Sequence, residues 1–113
     1  MDIDGAMTVA HSQAVLSGHH DKEKTFGEYI SLMHSELSEA LEEFRSGRTV
    51  NEVWFNKESE PIGKPEGVPI ELADTVIRIF DFCQHYKIDL SSAIKIKMEY
   101  NAKRPYLHGK VNL

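Results

Sequence analysis

The sequence predicts an all-α fold, a four-helix bundle, on three observations. Apolar residues recur at alternating four- and three-residue intervals through Phe26, Ile30, Met33, Leu37, Ala40 and Phe44, the seam of a bundle helix. Wound as a helix, the stretch from Glu71 to Tyr86 places Glu71, Asp74, Arg78 and Asp81 on one narrow stripe. Leu72, Ala73, Val76, Ile77, Ile79, Phe80, Phe82 and Cys83 fill nearly every other direction, so this helix is expected to be buried on most sides. Finally, strand-type alternation is missing except for VNEVWF, residues 50–55.

The first helix is expected from about Gly5 to Ser17, with Met7, Ala10 and Ala14 on one side and Asp4 as its cap. The second begins near Thr25 and ends near Ser46, where Gly47 can supply the C-terminal turn. A long connection follows, Gly47 to Pro69, punctuated by Pro61, Gly63, Pro65, Gly67 and Pro69. Connections of this length inside a domain are unusual and often functional, as lids are. The third helix is expected over Ile70 to Tyr86. After the short turn KID, Asp89 can cap a fourth helix that reaches about Lys103 before Pro105 stops it.

The chain has 113 residues, enough for one domain spanning 1–113 with one modest core. Its 41% hydrophobic and 27% charged residues are a normal globular balance, which argues against disorder. A formal charge of −5 argues against broad nucleic-acid binding but leaves room for a small anion held through metal ions. The single cysteine, Cys83, excludes an internal disulfide and a cysteine-rich zinc site, and its place on the apolar side reads as an inert buried thiol. No apolar run approaches a membrane span, and the acidic N-terminus lacks the features of a signal peptide. A soluble cytoplasmic protein is the expectation.

A second acidic stripe sits on the second helix. Glu36, Glu39 and Glu43 lie within about 60° of one another beside the apolar seam, whereas Glu42 points to solvent. Two like charges ~4 Å apart repel by about 4 kcal/mol at an effective dielectric near 20. Two such stripes on adjacent helices must therefore protonate or hold cations, and an all-carboxylate set suits Mg²⁺ or Mn²⁺. The plainer reading of either stripe alone is a solvated face with pairs such as Asp74 and Arg78. On the fourth helix Lys97, Asn101 and Arg104 continue the inward line of Leu90, Ala93 and Ile94, and Tyr106, His108 and Lys110 follow. Cations there are either snorkelling side chains or ligands for phosphate beside the metal site.

The ordered set E-x-x-E, E-x-x-D about thirty residues on, and K-x-x-x-N-x-x-R-P-x-x-H-G-K resembles the MazG-like nucleoside triphosphate pyrophosphohydrolases, a superfamily with the dimeric dUTPases, dCTP pyrophosphatases and phosphoribosyl-ATP pyrophosphatase. The likeness runs from Phe26 through Lys110 and includes KPEG at Lys64 to Gly67. It implies an all-α MazG-type domain, a homodimer or homotetramer, and Mg²⁺-dependent cleavage of an NTP or dNTP to the monophosphate and pyrophosphate. Position by position it implies Glu36, Glu39, Glu71 and Asp74 as catalytic metal ligands. It likewise implies Lys97, Asn101 and Arg104 as substrate contacts, joined by Tyr106, His108 and Lys110. Many members open the first motif with a double Glu, whereas Ser35 precedes Glu36 here, so a shifted set using Glu43 stays open. The alternative function is a non-catalytic bundle that binds a nucleotide or a protein through an acidic groove.

Other residues carry less. His19 and His20 precede Asp21, but no further metal ligand has a fitting spacing, and His34 and His85 read as ordinary helix residues. Trp54 and Phe55 either stack on a base or anchor the long connection, the second being favoured.

Overall fold

The computed structural model describes residues 1–105, so Tyr106, His108 and Lys110 lie outside the described residues. Within them the chain is mostly helical, with four helices and one small sheet: α1 (Ile3–Leu16), α2 (Phe26–Arg45), β1 (Trp54–Asn56), β2 (Lys64–Glu66), α3 (Val68–His85) and α4 (Leu90–Lys103).

Local chemistry accounts for the helix ends. Asp2, not Asp4, caps α1 by accepting from the Gly5 amide at 2.7 Å, so the helix starts two residues earlier than expected. Thr25 and Glu28 form a reciprocal capping box at the start of α2, and Gly47 at φ 92° follows its end. Asp89 caps α4 by accepting from the Ser92 amide at 3.1 Å.

The long connection folds into an antiparallel hairpin that pairs Trp54 with Glu66, Phe55 with Pro65 and Asn56 with Lys64. Its first strand lies in the VNEVWF stretch; its second, containing Pro65, has no strand signature. Pro is tolerated there because a two-stranded ribbon consists only of edges. The indole Nε1 of Trp54 donates to Glu43 Oε2 at 3.2 Å, and the Arg48 guanidinium lies 4.2 Å from its ring centroid. Trp54 thus anchors the hairpin on α2, whereas Phe55 is exposed.

Helix α3 lies at the centre, packed on α1 and α2, while α4 packs on α1. The core forms around Met7, Tyr29, Phe82 and Cys83, with Ile3, Met33, Ile79, Phe80 and Leu90 packed against it. Phe82 meets Tyr29 edge-on at 5.1 Å between centroids. Cys83 is buried, and burial pushes its thiol pKa up, as an inert thiol requires.

Two expectations about burial change. The α2 seam divides: Ala40 and half-buried Ile30 and Met33 turn inward with Tyr29 and Glu36, while Phe26, Leu37 and Phe44 are exposed. On α3, Leu72, Val76 and Ile77 are also exposed, so a single chain does not cover that helix on most sides.

Candidate functional site

The acidic stripes meet where α2 and α3 face each other. Glu36 and Glu71 are only 8% and 7% exposed, and Asp74 is half-buried. One carboxylate oxygen from each of these three residues lies within 4.8 Å of the others. Helical spacing makes the convergence: Glu71 and Asp74 share a face at i, i+3, and Glu36 sits opposite on the inward face of α2. Glu39, one turn beyond Glu36, adjoins Glu71 from the exposed rim.

Electrostatics show the strain of this arrangement. Burial first, then the neighbouring Glu39, then the charges of Asp74 and Glu36, push the Glu71 pKa up to about 8. Asp74 is raised by burial and by Glu36, while Arg78 and Lys64 pull it back. The Oε2 of Glu71 is buried with no hydrogen-bond partner among the described residues. Arg78 donates to Glu36 Oε1 at 2.7 Å, so the guanidinium expected beside Asp74 is committed across the helix pair to Glu36.

The donor set fits a hard divalent cation. All three residues offer carboxylate oxygens, Glu71 also carries a buried oxygen without a partner, and Mg²⁺ or Mn²⁺ prefers such oxygens over nitrogen or sulfur. Mg²⁺ holds oxygens at about 2.0–2.1 Å, so oxygens on opposite sides of one ion are roughly 4 Å apart. Glu43 takes no part in this trio; its carboxylate is occupied by Trp54.

The cations near the cluster differ from those expected. Lys97 and Asn101 are exposed and Arg104 is half-buried; Lys97 and Arg104 both lie over the Tyr100 ring. Helix α4 buries none of its residues, so Lys97 and Asn101 are not core-facing, contrary to their place on the inward line. The single chain instead brings Arg48 and Lys64 to a cavity of about 430 Å³ shared with Glu39, Glu66, Glu71 and Trp54. Glu66 Oε2 is a second buried oxygen without a partner. KPEG was the available signal for Lys64 and Glu66; Arg48 had none. On the other flank, a cavity of about 330 Å³ is bordered by Glu36, Asp74, Arg78, Gln13, Ser17 and His19.

A third cluster was not foreseen. His20 and His85, which had no evident metal partner and an ordinary helical setting in the sequence, meet His11 and Asp81 at the far end of α3. Burial and the nearby charges of His20 and His11 lower the His85 pKa. His19 and His34 are exposed.

No family model matches this chain, and none of the curated proteins or solved structures compared with it matches either.

Proposed function

We propose that the chain is a Mg²⁺-dependent nucleoside triphosphate pyrophosphohydrolase of the MazG-like type. The observation that carries this reading is the convergence of Glu36, Glu71 and Asp74, with a buried, unpartnered oxygen on Glu71. Bare, the cluster costs free energy; its chemistry is completed by a divalent cation and a polyanion. When bound, the cation supplies charge neutralisation at the phosphates and lowers the pKa of a coordinated water.

The chain's own residues divide the remaining work. Glu36, Glu71 and Asp74 hold the cation. Glu39, exposed at the rim, would accept the proton of the attacking water. That water forms a bond to a phosphorus of the triphosphate while the bond to the departing pyrophosphate oxygen breaks, giving the monophosphate and pyrophosphate. Arg48 and Lys64 offer positive charge to the phosphate chain. The smaller cavity beside Glu36 and Asp74 has the size class of a ligand pocket and polar groups for a nucleoside in Gln13, Ser17 and His19. Lys97, Asn101 and Arg104 would serve as substrate contacts from α4 of a second copy, since their own chain leaves them away from both cavities.

The test is pyrophosphate release from a panel of NTPs and dNTPs, with Mg²⁺ and in excess EDTA. Activity is expected only with metal, and Asp74→Asn should lower kcat by at least about a hundredfold, the usual scale for removing a transition-state charge contact. Turnover of none of these nucleotides, or full turnover in EDTA after verified metal removal, would overturn the proposal.

A further inference from the structure

The far end of α3 carries donors of a different kind. His11 from α1, His20 from the turn after α1 and His85 from the last residue of α3 each offer a ring nitrogen, and these nitrogens lie within 4.8 Å of one another. His11 Nδ1 lies 2.9 Å from Asp81 Oδ1, and His20 Nε2 lies 2.8 Å from the same oxygen and 3.0 Å from Oδ2. The His20 ring stacks on His85 with centroids 4.2 Å apart. A structural carboxylate is satisfied by one or two donors, and that need explains His11 and His20. It does not explain His85, whose ring has no hydrogen-bond partner among the described residues yet adjoins both other rings.

We propose that His11, His20 and His85 form a site for a borderline transition metal such as Zn²⁺, with Asp81 as the carboxylate that orients two of the three ligands. The proposal is independent of the phosphate chemistry above. Asp81 accepts from His11 Nδ1–H and His20 Nε2–H, which leaves lone pairs on His11 Nε2 and His20 Nδ1. Such a carboxylate–histidine pairing fixes tautomer and ring direction at metal centres. His20 Nδ1 now accepts from the Tyr29 hydroxyl at 3.2 Å, and the metal would take the place of that proton.

Imidazole ligands bind Zn²⁺ at about 2.0–2.1 Å, which sets tetrahedral nitrogens roughly 3.4 Å apart. One ring nitrogen of each histidine already lies within 4.8 Å of the others, and His85 is the exposed member of the three. The two centres then differ in kind: carboxylate oxygens select hard Mg²⁺, whereas imidazole nitrogens select Zn²⁺, Co²⁺ or Ni²⁺. Bound metal would also tie α1, the turn after it and the end of α3 into one unit.

The test uses the full chain carrying Glu71→Gln and Asp74→Asn, so that the acidic cluster does not compete. Equilibrium dialysis with Zn²⁺ should give one metal per chain, and Co²⁺ should give the intense visible bands of a four-coordinate site. Adding His11→Ala and His85→Ala should abolish both, while Asp81→Asn should weaken binding roughly 10–100-fold. No bound metal, or equal binding without the histidines, overturns the proposal. A measurement on the unsubstituted protein guards against misfolded variants: long-range ¹H–¹⁵N spectra with Zn²⁺ should shift one ring nitrogen in each of His11, His20 and His85. Unshifted rings overturn the proposal as well.

Discussion

Glu71 bears most of the tension in the acidic cluster, and its protonation gives that tension a measurable form. In the unfolded chain its carboxyl titrates near the ordinary value of 4.5, and in the metal-free fold near 8. Between those values the folded state holds a proton that the unfolded state has lost, so stability falls as pH rises. The contribution is full below the unfolded pKa and is gone once pH passes the folded one. The melting temperature of metal-free protein should therefore drop by several degrees between about pH 5 and pH 8. Glu71→Gln should flatten the profile and raise stability at the alkaline end. Calorimetry across that range decides, and an unchanged slope in the variant would assign the pH dependence elsewhere. The convergence of Glu36, Glu71 and Asp74 was legible in the sequence because helical periodicity maps spacing onto a face. The histidine cluster was not, since His11, His20 and His85 come from separate segments and no single period relates them.

Among the elements, the hairpin depends on one glycine. Gly67 ends the segment after β2 and caps α3 at φ 122°, and an added Cβ there would lie 2.3 Å from the Glu52 carbonyl oxygen. Gly47 also has a positive φ, 92°, but an added Cβ meets nothing within 4 Å. Gly47→Ala should therefore cost about 1 kcal/mol, the conformational penalty alone. Gly67→Ala adds a backbone collision and should cost about 3 kcal/mol or more, lowering the melting temperature by roughly 10 °C or more. Equal losses in thermal melts would show that the close approach does not matter. Helices α2 and α4 were legible because Thr25, Glu28 and Asp89 declare their starts through side-chain caps. Strand β2 was hidden because three residues centred on Pro65 carry no alternation, and its pairing depends on partners eight to twelve residues upstream.

Taken whole, the chain leaves much apolar surface open. Leu37, Leu41 and Phe44 on α2, Leu72, Val76 and Ile77 on α3, and Ile96 and Met98 on α4 are exposed. A standard dimer covers about 800 Å² on each partner. We expect a homo-oligomer that covers part of these stripes and brings α4 to a neighbour's acidic cluster. Light scattering at tens of micromolar should give a multiple of the chain mass, and Leu37→Glu with Val76→Glu should reduce it to one chain. A wild-type monomer at that concentration would refute the expectation. The sequence pointed to a helix covered on most sides because its apolar arc is wide, and in the single chain Leu72, Val76 and Ile77 of that arc face outward. The open stripes are largely aliphatic, and burying such surface near room temperature is driven by released water rather than by heat. That driving force weakens on cooling. An assembly closed over these stripes would thus be loosest in the cold, and its heat capacity would fall as the chains came together.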